Sequence, residues 1–239
     1  MRKKAKLYDC DNTLVLTEKT AFQSGAQVLN DLLSAHGIAQ IFSPEALQQE
    51  FVGRTFQESV LKLANDFHFE IEDLDGWVER EKNAVIAAFR GGLEPCSGAQ
   101  QALKRSLGKF QVAVVSSSAK DRVLVSLDVA GLGGIFDERQ IFSAQTCLEN
   151  RKGKPAPDIY QHALRTLSLN PEDCIAFEDT VAGVRAARGA GIDVVGYLGC
   201  YEEQDRQVMS KALSAAGACA LMPCWDDEDK VLAEVRSGD

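Results

Sequence analysis

Asp9-Cys10-Asp11-Asn12-Thr13 places two carboxylates two positions apart at the end of the chain's first apolar run. Lys6-Leu7-Tyr8 reads as a short β-strand, and side chains two apart on a strand share a face. Here the strand is ending and the chain is turning. A turn lets one carboxylate and a neighbouring main-chain carbonyl converge on a cation while the second carboxylate faces a substrate. Open α/β folds place their sites at this C-terminal edge of a parallel sheet. Asp and Asn also favour turns in their own right, so the five residues alone support a turn as well as a site.

Three later clusters share that placement. Val112-Ala113-Val114-Val115 is a β-branched run that ends in Ser116, Ser117 and Ser118, with a helical pattern from Ala119 to Ala130. Hydroxyls and free N–H groups at a strand end and helix start can hold an anion, and a serine there can equally be a helix cap. In Gly153-Lys154-Pro155-Ala156-Pro157-Asp158 the prolines fix the backbone, start a helix running to about Leu167, and hold Lys154 at a defined place. A lone lysine is otherwise a solvated charge. Cys174-Ile175-Ala176-Phe177 is an apolar strand ending in Glu178-Asp179, with a helix from about Val181 to Ala190. Acids at a helix start also complement its dipole. Taken together the four clusters supply a nucleophile, a second carboxylate, an anion-binding hydroxyl, a fixed cation and a metal-binding acid pair. Phosphoryl transfer needs this inventory, because it depends on positioning and charge neutralisation.

On these residues the chain resembles the haloacid dehalogenase superfamily of aspartate-nucleophile hydrolases. Asp9 to Thr13 looks like its first motif, Ser116 its second, Lys154 its third and Glu178-Asp179 its fourth. The Lys-Pro-Ala-Pro-Asp-Ile-Tyr segment resembles the β-phosphoglucomutase and sugar-phosphatase branch. Asn12 stands where Gly is common, and Asn tolerates left-handed backbone angles better than most residues.

The resemblance implies a Mg²⁺-dependent phosphatase of a small phosphorylated metabolite, with a sugar or polyol monophosphate as the expected substrate. Asp9 would attack phosphorus, since a carboxylate is ionised at neutral pH and needs no activating base. Asp11 would protonate the leaving oxygen and then deprotonate the hydrolytic water. Ser116 and Lys154 would hold phosphoryl oxygens, joined by Thr13 and Ser117. Asp9, Glu178, Asp179 and the main-chain carbonyl of Asp11 would ligate Mg²⁺, a hard cation that takes oxygen ligands. A phosphomutase of the β-phosphoglucomutase type is the alternative. The cap His and Arg that such a mutase uses fall near Ala21 and Phe56, and Arg54 is close by. These departures favour the phosphatase. Asp11 argues against a dehalogenase, and nothing marks Lys62 or Lys82 for phosphonate cleavage. A non-catalytic regulator would show a lost motif residue, and none is lost.

These motifs need a scaffold that brings four strand ends together. Strands are expected near 111–115, 140–143, 173–177, 193–197 and 218–222, with helices between them and a last helix over Asp226 to Val235. Such alternation predicts an α/β core with a Rossmann-like parallel sheet and helices on both faces. Residues 1–16 and 91–239 would form this core. Residues 17–90 have helical periodicity: Glu18 to His36, Pro44 to Phe51, a helix capped by Thr55 and running to about Phe67, and Leu74 to Phe89. This inserted four-helix segment is expected as a cap domain, which in the related family moves over the active site. Gly53-Arg54-Thr55 is its candidate specificity loop, with Arg54 as a substrate-binding residue; a turn followed by a helix cap accounts for the same residues.

The 239 residues carry a net charge of −9, with 45% hydrophobic and 26% charged residues. Acidity argues against nucleic acid or an anionic membrane as partner, since both demand a basic surface. The expected partner is a small phosphorylated molecule, with the chain a monomer or small homo-oligomer. No apolar run approaches a membrane span, and the basic start is followed by acids, unlike a signal peptide. Seven scattered cysteines without a C-x-x-C pair fit a reducing cytoplasm. The three histidines lie apart from the motifs, so neither zinc nor a His-based triad is supported.

Overall fold

The structure is a computed structural model that describes residues 3–51 and 55–237. The chain divides into two compact units, Met1–Leu16 with Leu93–Asp239, and Thr17–Gly92.

The larger unit is built on a sheet that, among the described residues, contains six strands: β1 (Ala5–Tyr8), β2 (Gln111–Ser116), β3 (Ile141–Ser143), β4 (Cys174–Glu178), β5 (Asp193–Tyr197) and β6 (Ala220–Met222). Their order is β3-β2-β1-β4-β5-β6, and every pairing is parallel. Parallel strands covered on both faces read as continuous apolar runs, which is why Val112 to Val115 shows no polar alternation. Alternate residues feed two cores. Tyr8, Val112, Val114, Ile175, Phe177 and Val195 face one, and Leu7, Ala113, Val115, Ala176 and Val194 face the other. The strands are joined through helices that include α5 (Ala99–Ser106), α6 (Lys120–Val129), α8 (Asp158–Leu167), α9 (Val181–Gly189) and α10 (Glu203–Ala216).

Two parts of this unit differ from sequence expectation. A short helix, α7 (Ala144–Cys147), follows β3 directly, capped by the Ser143 hydroxyl, which accepts from the Thr146 N–H at 3.2 Å. The last helix, α11, runs Glu228–Ser237 and starts later than Asp226, after a 3₁₀ turn over Trp225–Asp227. The turn drops Trp225 into the core, with ring centroids 5.1–5.7 Å from Tyr8, Phe177 and Tyr197. Glu228 is fully buried and accepts from the Lys6 ammonium at 2.7 Å, so burial of these two side chains sets where the helix begins.

The smaller unit contains, among the described residues, α1 (Glu18–Ala35), α2 (Pro44–Phe51), α3 (Phe56–Phe67) and α4 (Leu74–Arg90). Leu29, Leu32, Leu33, Phe42, Phe51, Val60 and Leu63 form a core of its own. Thr55 caps α3 in a capping box: its hydroxyl accepts from the Glu58 N–H while the Glu58 carboxylate accepts from the Thr55 N–H. Among the described residues no helix is long and apolar enough to cross a membrane.

Candidate active site

β1 lies between β2 and β4, and the functional side chains emerge where these strands end. Tyr8 is level with Val114 on one side and Phe177 on the other. The Asp9 N–H extends the β1–β4 pairing by donating to the Phe177 carbonyl at 3.0 Å. Asp9 therefore leaves the sheet level with Val115 and Glu178. The chain then turns sharply. The Asn12 N–H donates to the Val15 carbonyl at 2.7 Å and the Leu14 N–H to the Cys10 carbonyl at 3.0 Å. Asn12 sits at φ 58°, the left-handed region that Gly adopts freely and Asn tolerates. Trp225 Nε1–H donates to the Thr13 carbonyl at 3.0 Å, so the buried aromatic cluster also holds this turn.

The Lys154 ammonium is the hub of the site. It donates to Asp9 Oδ1 at 2.5 Å and to the Val115 carbonyl at 2.8 Å, and pairs with Glu178 Oε1 at 2.5 Å. Its own backbone is fixed, because the Lys154 N–H donates to Ser117 Oγ at 3.0 Å. Ser117 thus holds the lysine loop. Thr13, fully buried, donates its hydroxyl proton to Asp179 Oδ1 at 3.2 Å. Ser116 Oγ accepts from the Ser118 N–H at 3.0 Å at the end of β2. Asp11 Oδ2 accepts from the Ser118 hydroxyl at 2.7 Å, and the Ser118 carbonyl is itself fixed by the Ser143 hydroxyl at 2.7 Å. Lys154 thus ties Asp9, Ser117 and Glu178 together, while Thr13 pairs with Asp179, whose carboxylate lies beside those of Asp9 and Glu178. Asp11 and Ser116 meet through Ser118. Arg54 lies outside the described residues.

Sequence reasoning missed several supporting residues. Tyr160 on α8 is fully buried and donates its hydroxyl proton to Glu178 Oε1. Tyr201 donates to the Asp179 carbonyl at 3.0 Å. Gly183, in the first turn of α9, has no room for a side chain, because a Cβ there would collide with the Glu178 carboxylate. A buried phenol must find an acceptor, so a tyrosine on an apolar helix face two residues after the Pro157-Asp158 pair carried a weak signal.

Burial sets the electrostatics. It pushes the Asp9 carboxyl up to about 7, against the pull of Lys154 and with a further push from Glu178 and Asp11. Burial likewise raises Glu178, offset by Lys154 and Tyr160. For Lys154 burial opposes the charge, but Asp9 and Glu178 outweigh it and hold the ammonium above its ordinary range. One lysine thus faces a cluster of acids that is short of positive charge. A nearby cation would favour the ionised carboxylates.

The residues fit a hard divalent cation. Asp9, Glu178 and Asp179 each offer an oxygen, and these atoms lie within 4.8 Å of one another. Among the described residues Glu178 Oε2 is buried without a hydrogen-bond partner. Oxygen donors of this kind suit Mg²⁺ better than a soft metal.

The sequence model of the haloacid dehalogenase-like hydrolases matches residues 3–191. The chain belongs to this family. It is 29% identical over 221 residues to a phosphorylated carbohydrates phosphatase of Thermotoga maritima, covering 91% of this chain and 93% of that one. It is 28% identical over 204 residues to the protein CbbY of Rhodobacter capsulatus, covering 82% of this chain and 85% of the relative. Among solved structures, a Thermotoga maritima protein provisionally named a β-phosphoglucomutase superposes with a TM-score of 0.72 at 26% identity, covering 97% of this chain and 99% of the other. The chain falls in the sugar-phosphatase-like branch of its family, and its enzyme class is phosphoric monoester hydrolase.

Proposed function

We propose that this chain hydrolyses the monophosphate of a small sugar or polyol through an aspartyl phosphate on Asp9, with Mg²⁺ as cofactor, in a reducing cytoplasm. The observation that carries this reading is the buried Lys154 ammonium between Asp9 and Glu178, beside Asp179 and at the end of three parallel strands. An Asp9 oxygen forms a bond to phosphorus as the bond to the substrate oxygen breaks. Asp11 gives that leaving oxygen its proton, then takes a proton from the water that attacks the aspartyl phosphate. The second attack returns the Asp9 carboxylate and releases inorganic phosphate. Lys154 and Ser116 hold phosphoryl oxygens during both attacks. Asp9, Glu178, Asp179 and the Asp11 carbonyl would hold Mg²⁺, which when bound neutralises phosphoryl charge. Residues 17–90 serve as the cap domain in this reading, with Arg54 in a substrate-binding loop.

The mutase is kept as a second reading because of the provisional name of the Thermotoga neighbour. Ala21 and Phe56 at the positions expected for a mutase His and Arg support hydrolysis instead. The test is phosphate release from a panel of phosphorylated sugars and polyols, ranked by kcat/KM with and without Mg²⁺. Mg²⁺-dependent release from at least one of them is expected; release from none overturns the proposal.

A further inference from the structure

Glu178 is held more tightly than a cation ligand on a strand end needs to be. It is the last residue of β4, fully buried, with two donors converging on one carboxylate oxygen. Lys154 reaches Oε1 from the loop before α8, at 2.5 Å, and the Tyr160 hydroxyl reaches the same atom from the first turn of α8. The opposite side of the carboxylate is closed by the backbone of α9, since a Cβ on Gly183 would overlap it. Lys154 cannot do this alone. Its ammonium is shared with Asp9 and the Val115 carbonyl, and both the Asp9 contact and the Glu178 contact must loosen if a phosphoryl group takes part of that charge. The Tyr160 hydroxyl donates to Glu178, and its ring lies 5.4 Å from the Lys154 ammonium. Its ring is locked in the core with Ile159, Ala163 and Val184, which fixes where the hydroxyl points.

We propose that Tyr160 is the positioning residue of the cation site: its hydroxyl fixes the orientation of the Glu178 carboxylate so that affinity for Mg²⁺ survives when Lys154 turns to the substrate. This rests on the reading of Glu178 as a Mg²⁺ ligand. Groups that orient ligating carboxylates shape metal affinity nearly as much as the ligands do.

Tyr160→Phe removes one oxygen and leaves the ring. Its Mg²⁺ dissociation constant, measured by calorimetric titration with MgCl₂ on the metal-free full chain, should rise about tenfold, the lower end of the usual effect. Glu178→Gln should weaken Mg²⁺ at least as much. Gly183→Ala, which presses on the carboxylate from the other side, should also weaken it, and serves if Tyr160→Phe does not fold. A purely structural tyrosine would lower the unfolding temperature and leave the dissociation constant within twofold of wild type. That result in folded Tyr160→Phe, with Glu178→Gln weakened, overturns the role of Tyr160 alone. An unchanged constant in Glu178→Gln overturns the placement of Glu178 at the cation and the proposal with it. If only Gly183→Ala can be measured, an unchanged constant there also overturns the proposal.

Discussion

Asp9 and Asp11 sit two residues apart and meet different surroundings. Asp9 is buried against Lys154, whereas Asp11 is half-buried and takes its hydrogen bond from Ser118. That difference separates a nucleophile from a proton carrier and predicts two kinds of failure. Asp9→Asn should abolish turnover with every phosphate ester, because an amide is a poor nucleophile. Near-wild-type activity in the purified variant would remove Asp9 from that role. Asp11→Asn should lower kcat by about 10²–10⁴ with an alkyl phosphate, the range expected for general acid–base catalysis, and much less for phosphorylation by an aryl phosphate. Equal losses with both leaving groups would count against Asp11 as the acid. The strand-end residues were legible in the sequence because each motif is local and follows its own apolar run. Tyr160 and Tyr201 were not, because they meet residues 18 and 22 positions away, and Gly183 was not, because nothing local distinguishes a glycine against a carboxylate from a turn or helix glycine.

At the scale of elements, the longer helices were readable from periodicity, caps and prolines, and the four-residue α7 and the late start of α11 were not. Thr55, read as a cap, announced the start of α3. The late start of α11 could not be read, because it depends on a buried pair 222 residues apart, Lys6 with Glu228. The Lys6 ammonium also donates to Ser106 Oγ at 2.8 Å, so β1, α5 and α11 are tied by one charged group. Burial opposes the charge on both partners, lowering Lys6 and raising Glu228, while each partner offsets it for the other. Lys6→Met strands a buried carboxylate and should destabilise the protein by about 3–5 kcal/mol, the usual result of breaking such a pair. Arg105, 3.6 Å from Glu228, moves the expectation to the lower end. Lys6→Met with Glu228→Leu should recover most of the loss. Thermal and urea unfolding of the two variants checks this; Lys6→Met as stable as wild type contradicts it. Removing the α3 cap with Thr55→Ala should cost about 1 kcal/mol by the same unfolding measurement.

The whole molecule carries a net charge of −9, and its site sets one lysine against a cluster of acids. An acidic protein can bind phosphate esters only where lysine, backbone donors and a cation outweigh the surrounding carboxylates, so dependence on a divalent ion should be complete. Exhaustive chelation should silence the enzyme, and Mg²⁺ should restore it; full activity in protein shown by metal analysis to be metal-free would contradict the assignment. Hydrolysis should also outrun transfer. With β-glucose 1-phosphate as a test substrate, glucose 1,6-bisphosphate should not stimulate formation of glucose 6-phosphate, and stimulation faster than phosphate release would establish the mutase instead. The parallel sheet with helices on both faces was implied by the alternation of strands and helices, while the strand order and the substrate were not, since alternation does not set which strands pair and a fold does not fix the chemistry it hosts. The central claim is the covalent aspartyl phosphate. It is tested most directly by rapid acid quench of the Asp11→Asn variant, in which hydrolysis is slowed, during turnover of ³²P-labelled aryl phosphate with Mg²⁺. Label on the peptide that carries Asp9, lost in the further Asp9→Asn variant and cleaved by hydroxylamine, is the predicted result. Phosphate release without any labelled protein, or label on another residue, would contradict it.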